Sequence, residues 1–258
     1  MISHDFSAAD TAQFARDGYV IARGLAPVAT VTRLRELALA HLAESRLPVE
    51  YEADTRYPGA PASLDAPGGR TVRRLLQVYA RDASFRDWAR SPLLAARLRQ
   101  LLGAQVVLSQ AHHNCVMTKS PAYSSVTRWH CDIRYWSFEK PELISVWLAL
   151  GEEHHDNGCL LLLPGTQHMH FSSDQLDAAQ FLRTDMDENK ALLRTQIAAE
   201  LHPGDVLFFH CRLFHAAGHN QTAETKLSVV HTYHAVDNRP VPGTRSAAVP
   251  DVSLDVIL

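Results

Sequence analysis

The sequence lacks several features that would assign it to a common protein class. Its four cysteines form no Cys-x-x-Cys pair, which excludes a zinc knuckle and a thioredoxin-type motif. No apolar run reaches the roughly 18–20 residues of a membrane span, and the N-terminus shows no signal pattern. A formal net charge of −3 gives no basic field for nucleic acid. We therefore expect a cytoplasmic protein with reduced thiols and without a nucleic-acid or membrane partner.

What the sequence contains is typical of one globular unit. The 258 residues are 46% hydrophobic and 21% charged, which is enough for a sizeable core. No internal repeat, low-complexity segment or linker divides the chain. We predict a single domain over residues 1–258, with helices roughly over 9–102 and a β core roughly over 104–236.

The first part of the chain has helical periodicity. A capping box at Ser7 and Asp10 precedes a helix over 11–16 that ends at Gly18. A short strand is predicted over 19–23, and three further helices over 28–44, 83–90 and 92–102. The segment 46–70 carries four prolines and three glycines. This density of helix and strand breakers predicts a long loop, which is either a lid or a disordered surface insertion.

After residue 103 the pattern changes to strands with turn signals between them. Strands are predicted over 104–108, 114–119, 129–135, 143–150, 160–163, 196–199, 206–210 and 226–235, with a helix over 174–183. Many strands behind a helical start predict a mainly β (α+β) fold, an antiparallel sandwich or jelly roll backed by N-terminal helices. The tail 238–258 is expected to wrap the surface or to be partly disordered.

A candidate metal motif lies in Trp129-His130-Cys131-Asp132. In an extended strand, alternate residues point to the same face, so His130 and Asp132 project together. One further histidine would complete a 2-His-1-carboxylate triad, which leaves three positions of an octahedral Fe(II) open. His215, next to the Gly218 turn, is the best candidate for this histidine. His210 competes with it.

The chain resembles the phytanoyl-CoA hydroxylase (PhyH) family of Fe(II)/2-oxoglutarate-dependent dioxygenases in the order and spacing of short motifs along nearly its whole length. The matching segments are 14–20, 23–25, His130-Cys131-Asp132, Trp147, Asn157-Gly158-Cys159-Leu160, Pro164-Gly165-Thr166 and the run 204–220 through His215. The resemblance implies a double-stranded β-helix, a cupin-like jelly roll. It also implies Fe(II) held by His130, Asp132 and His215, with 2-oxoglutarate and O2 as co-substrates.

Two positions depart from the family pattern for 2-oxoglutarate binding. The family usually places an arginine eleven residues after the distal histidine, and this sequence has Lys226 there. An arginine grips a carboxylate with a rigid fork, whereas a lysine offers a point charge. The resemblance implies that Lys226, with Ser228 on the same face, binds the far carboxylate. The alternative is a surface lysine beside an altered co-substrate site. Ala217 replaces a serine that many members carry.

Four other residues are implied to line the co-substrate pocket. Cys115 and Lys119 alternate on one strand face, and Lys119 would add positive charge unless it faces solvent. Trp147 corresponds to an aromatic beside 2-oxoglutarate, although core packing also explains it. Asn220 matches a family asparagine, and a turn residue is the alternative.

Three residues are candidates for contact with the substrate. Arg134, Tyr135 and Trp136 follow the first ligands and are candidates for the substrate mouth. The resemblance implies hydroxylation of an unactivated C–H bond, coupled to oxidation of 2-oxoglutarate to succinate and CO2. Family halogenases lack the carboxylate ligand, so Asp132 favours hydroxylation over halogenation.

Two other hypotheses remain open at this point. Lys226 and Ala217 are compatible with a non-catalytic metal-binding protein that keeps the fold but has an altered co-substrate site. Three protein ligands would also suit zinc in a hydrolase or lyase. Metal analysis after expression with added iron separates these possibilities.

Overall fold

The computed structural model describes residues 5–55 and 57–254, and six α-helices lie within them. They are α1 (Ala8–Asp17), α2 (Val28–Ala43), α3 (Val78–Arg81), α4 (Ala83–Ala89), α5 (Pro92–Leu102) and α6 (Asp187–Leu193). Among these described helices, none combines the length and the apolar character needed to cross a bilayer.

The described residues also form twelve strands in two sheets. They are β1 (Tyr19–Ala22), β2 (Val49–Tyr51), β3 (Val72–Leu76), β4 (Val106–Lys119), β5 (Thr127–His130), β6 (Leu143–Ala149), β7 (Leu160–Leu162), β8 (Ile197–Ala198), β9 (Val206–His210), β10 (His215–Ala217), β11 (Lys226–Ala235) and β12 (Val252–Ser253). The large sheet has the order β1-β9-β6-β11-β4-β3-β2, with β12 beside β4, and the small sheet has the order β5-β10-β7-β8. These antiparallel sheets with helices beside them match the predicted jelly-roll architecture.

The start of the fold follows from local sequence. Ser7 and Asp10 form the predicted capping box, since each accepts a hydrogen bond from the backbone N–H of the other. Such a cap contributes about 1 kcal/mol. Gly18 ends α1 with a φ of +79°, a left-handed conformation that favours glycine.

Strand β11 lies between β4 and β6 and separates two layers of the core. Val229 and Tyr233 pack on the side of the N-terminal helices, whereas Val230 packs on the other side with Phe209. Because side chains alternate along a strand, Lys226 lies on the same face as Val230, toward the interior between the sheets.

Two predicted elements are wrong. The strand predicted over 129–135 ends at His130, and a 3-10 helix covers Asp132–Tyr135. The helix predicted over 174–183 is absent from these described residues. The Asp177 carboxylate instead accepts two backbone N–H bonds, from Ala179 and Phe181, which closes a turn. Local side-chain bonds of this kind compete with helix formation.

Other segments contain structure that the sequence patterns did not indicate. The predicted loop 46–70 contributes β2, which pairs with β3, and β3 itself was not predicted. Strand β10, only three residues long, was also missed. In the tail, β12 pairs with β4. The part of the tail prediction that falls on 255–258 lies outside the described residues.

Candidate metal centre and co-substrate cavity

Three predicted metal ligands lie together at the junction of β5 and β10. The ligand atoms of His130, Asp132 and His215 are all within 4.8 Å of one another. The Asp132 Oδ1 atom is 3.9 Å from His130 Nε2 and 3.7 Å from His215 Nε2. All three side chains are buried. These distances are close enough for one ion to contact all three atoms.

Backbone geometry explains how the three ligands meet. Cys131 is extended, with φ −118° and ψ 147°, so the side chains on either side of it project together although Asp132 begins a 3-10 helix. Antiparallel pairing of β5 with β10 places His215 directly opposite His130. The competitor His210 lies elsewhere, with its ring beside Phe14.

The two histidines are held in the tautomer that leaves Nε2 available to a metal. His130 Nδ1 is 2.8 Å from the Arg128 carbonyl oxygen, and His215 Nδ1 is 3.1 Å from that of Leu213. A carbonyl only accepts, so each Nδ1 carries the proton and each Nε2 lone pair is free to bind a metal. Burial, with the neighbouring His215, lowers the pKa of His130 to about 3. It is therefore neutral at neutral pH.

Two side chains hydrogen-bond the Asp132 carboxylate, one at each oxygen. His113 Nε2 lies 3.0 Å from Oδ1, and Ser145 donates its hydroxyl to Oδ2 at 3.1 Å. Burial disfavours a charge on His113, but the Asp132 carboxylate and the neighbouring Cys115 together raise the His113 pKa to about 10. Neither His113 nor Ser145 was predicted as part of the site, because nothing in the local pattern relates His113 to a ligand nineteen residues later.

We expect the variant His113→Gln to bind Fe(II) about 10–100-fold more weakly, since hydrogen bonds to a ligating carboxylate fix its orientation. Anaerobic competition with a chelator measures this change. His112→Gln is the matched control, because the neighbouring His112 bonds the Ser246 hydroxyl at 2.7 Å instead. Equal affinity of His113→Gln and the wild type would contradict a positioning role.

A cavity of about 260 Å³ adjoins the three ligands. Of the predicted co-substrate residues, four line it, namely Cys115, Lys119, Trp147 and Lys226. Ala217 lines it as well. Asn220 instead stabilises its own loop, since its amide donates to the carbonyl oxygens of Lys119 and Glu224. These contacts agree with the alternative prediction, in which Asn220 is a turn residue.

Lys226 contacts a buried carboxylate that the sequence analysis missed. Its Nζ lies 3.1 Å from Glu153 Oε2. Trp147 donates its indole N–H to Glu153 Oε1 at 2.9 Å, and Ser228 donates its hydroxyl to the same oxygen at 2.6 Å. Glu153 lies in a Gly-Glu-Glu-His-His run that carries no signal of burial, yet it is only 2% exposed.

Lys119 lies opposite Lys226 in the pairing of β4 with β11. Its ammonium donates to the backbone carbonyls of Ser125, at 2.9 Å, and Gly218. Burial, together with Arg73 and Lys226, lowers the pKa of Lys119 to about 7. The cavity therefore has a second cation whose charge changes near neutral pH.

This shifted pKa makes folding stability depend on pH. The Lys119 pKa is about 7 in the folded state and about 10.4 in an unfolded chain. Between these values the unfolded chain binds more protons, so stability rises with pH. We expect wild type to gain about 3 kcal/mol relative to Lys119→Met between pH 6.5 and 9.5, measured by urea unfolding. The exposed Lys140→Met is the control, and a difference independent of pH would contradict the shift.

Strand β3 adds two arginines that were not predicted as site residues. Arg74 and Arg73 both line the cavity. Arg74 donates to Glu50 through two nitrogens, one at 2.8 Å. Arg73 donates to the Ser125 hydroxyl at 2.6 Å and lies 3.5 Å from Glu52 Oε2. Both cations thus have carboxylate partners within the protein.

Aromatic rings surround the outer part of the cavity. Tyr135 and Trp136, predicted at the substrate mouth, line it together with Tyr57 of the candidate lid. The Tyr57 and Tyr135 hydroxyls are 3.1 Å apart. Arg134 stacks its guanidinium over Phe181 at 3.7 Å. The 46–70 segment therefore reaches the cavity through Tyr57.

The side chains present fit the cofactors that the sequence analysis expected. Two neutral imidazoles and one carboxylate form a donor set suited to Fe(II), and they leave positions for other ligands. The adjoining cavity has lysines at Lys119 and Lys226, which suits an anionic 2-oxo acid. In this respect the cavity is compatible with 2-oxoglutarate.

Comparison with known proteins also indicates an enzyme that uses Fe(II) and 2-oxoglutarate. The family model for phytanoyl-CoA dioxygenase (PhyH) matches residues 14–228. A probable phytanoyl-CoA dioxygenase from Caenorhabditis elegans is 24% identical over 221 residues, covering 81% of this chain and 69% of the relative. An ectoine dioxygenase from Streptomyces avermitilis is 27% identical over 260 residues, covering 91% and 81%.

Solved structures share the fold. EctD from S. alaskensis, solved with 2-oxoglutarate and 5-hydroxyectoine, superposes with a TM-score of 0.74 at 23% identity, covering 92% of this chain and 78% of that chain. The non-heme alpha ketoglutarate dependent epimerase SnoN from nogalamycin biosynthesis gives a TM-score of 0.71 at 22% identity, covering 92% and 86%. These likenesses confirm the predicted double-stranded β-helix. The family match confirms the predicted enzyme class and its cofactors, Fe(II), 2-oxoglutarate and O2. The chain therefore belongs to the phytanoyl-CoA dioxygenase (PhyH) family of Fe(II)/2-oxoglutarate-dependent dioxygenases.

Proposed function

We propose that this enzyme hydroxylates an unactivated C–H bond of a small-molecule or natural-product-type substrate, with oxidative decarboxylation of 2-oxoglutarate to succinate and CO2. The observation that carries the proposal is the cluster of His130, Asp132 and His215 beside a cavity lined by lysine side chains. Fe(II) bound there supplies the activation of O2. Small-molecule chemistry is supported by relatives named for ectoine, a small solute.

In this proposal the protein side chains bind, orient and exclude water. His130 and His215 provide Nε2 atoms, and Asp132 provides a carboxylate that His113 holds at Oδ1 and Ser145 holds at Oδ2. The presence of Asp132 supports hydroxylation over halogenation. The 2-oxo acid occupies the cavity end near Lys119 and Lys226, and Trp147 forms an apolar wall there.

The substrate is proposed to enter on the aromatic side. Tyr57, Tyr135 and Trp136 give the cavity an apolar rim with hydroxyl groups, and the Tyr57–Tyr135 contact joins the 46–70 segment to the ligand-bearing segment. Rings of this kind exclude water and contact an organic skeleton without fixing its identity.

Anaerobic titration of the Fe(II) protein with 2-oxoglutarate tests the cofactor assignment. We expect a weak visible charge-transfer band that saturates with 2-oxoglutarate. A panel of small solutes and natural-product intermediates is then tested as substrates. When O2 is admitted, we expect succinate and a hydroxylated product to form in equal amounts. A protein that binds iron but gives neither the band nor succinate would contradict the proposal. That result would instead favour a non-catalytic metal-binding protein.

A further inference from the structure

A carboxylate of the protein, that of Glu153, lies behind one end of the co-substrate cavity and contacts two residues that line it, Trp147 and Lys226. Glu153 accepts hydrogen bonds from Trp147 and Ser228 on Oε1 and from Lys226 on Oε2. All four side chains are buried, with residue exposures between 0% and 6%. The three donors are the same residues that the family resemblance assigns to binding the co-substrate.

Glu153 changes the electrostatics of this end of the cavity. A lysine selects a ligand carboxylate because it offers an uncompensated charge in a poorly solvated site. Here the Lys226 ammonium is already neutralised at 3.1 Å. A second carboxylate brought to Lys226 would also meet the negative charge of Glu153. The attraction that favours a dicarboxylate is therefore reduced.

The neighbouring cations only partly restore that attraction. Arg73 is 3.5 Å from the Glu52 carboxylate, and the Lys119 ammonium is bound by two carbonyl oxygens. Lys119 lies across from Lys226 in the β4–β11 register, and within residues 5–55 and 57–254 no carboxylate forms an ion pair with it. Lys119 thus faces this end without a carboxylate partner among the described residues.

We propose that Glu153 is a specificity-determining residue for the co-substrate. Glu153 neutralises the charge of Lys226. The cavity therefore discriminates less between a 2-oxo acid that has a far carboxylate, such as 2-oxoglutarate, and a 2-oxo acid that has none. This inference rests on the proposed function, because it assumes that the 2-oxo acid binds iron in this cavity.

The test compares two probes that share a five-carbon skeleton, 2-oxoglutarate and 2-oxopentanoate, which lacks the far carboxylate. Each is titrated anaerobically into the Fe(II) protein, and the dissociation constant is taken from the charge-transfer band or from calorimetry. We expect wild type to prefer 2-oxoglutarate by less than about tenfold. Glu153→Gln frees the Lys226 charge and keeps the shape, so we expect tighter 2-oxoglutarate binding by at least tenfold, with 2-oxopentanoate unchanged.

Glu152→Gln is the matched control, since Glu152 is exposed and contacts His202 instead. Glu153→Ala provides a second variant if the amide is poorly tolerated. Two results would overturn the proposed role of Glu153. One is a wild-type protein that binds 2-oxoglutarate more than about a hundredfold more tightly than 2-oxopentanoate. The other is an equal ratio of the two dissociation constants in wild type and Glu153→Gln. The proposed function would survive either result. Failure of both acids to perturb bound iron in every variant would instead overturn the proposed function.

Discussion

Replacing Asp132 by alanine should abolish substrate oxidation and weaken Fe(II) binding by at least about 100-fold, more than the 10–100-fold typical of outer contacts. The carboxylate supplies the one negative charge in the His130–Asp132–His215 cluster. Its loss leaves two neutral imidazoles, and it also leaves His113 and Ser145 without their acceptor.

Metal content after anaerobic reconstitution and succinate formation with 2-oxoglutarate measure the two effects of Asp132→Ala. Asp156→Ala is a suitable control, because the Asp156 side chain is 73% exposed and lies outside the cluster. Full turnover by Asp132→Ala with iron bound would mean that the ligand assignment is wrong.

The second large effect concerns stability. Lys226→Met should destabilise the fold by about 3–5 kcal/mol, because it leaves the Glu153 carboxylate buried without its cation. The Lys226 and Glu153 side chains are only 3% and 0% exposed. Solvent therefore cannot compensate for the lost partner.

A double-mutant cycle separates this pairing from packing. In Lys226→Met/Glu153→Gln the buried charge is gone, while the amide oxygen still accepts from Trp147 and Ser228. We expect the double variant to recover most of the lost stability in urea unfolding. A loss equal to the sum of the single variants would show that the two side chains are not coupled.

Much of this protein could be predicted from local patterns because the responsible interactions are local. The α1 caps involve Ser7, Asp10 and Gly18, all within a few positions of the helix. The predicted strand over 226–235 coincides with β11. The failed helix over 174–183 shows the limit, since the Asp177 side chain satisfied backbone groups that a helix would have used.

The outer contacts of the site could not be predicted in this way. His113 reaches Asp132 because β4 bulges there. The adjacent residues His231 and Thr232 of β11 pair with Asn114 and Ser109 of β4. Residues 110–113 of β4 therefore have no partners on β11 and form the bulge. Such a bulge turns side chains away from the regular alternation of a strand. Similarly, β3 pairs with β4 and so brings Arg74 to the cavity, although the strand itself was not predicted.

By itself, the sequence determined the PhyH motifs and the pairing of His130 with Asp132, since one extended residue between them directs both side chains to the same side. The tertiary structure decided what surrounds them. The β5–β10 register places His215 rather than His210 opposite His130, and the folded core brings Glu153 to Lys226 across 73 residues of chain. Contacts of that separation depend on strand register and burial in the folded chain, which local periodicity does not encode.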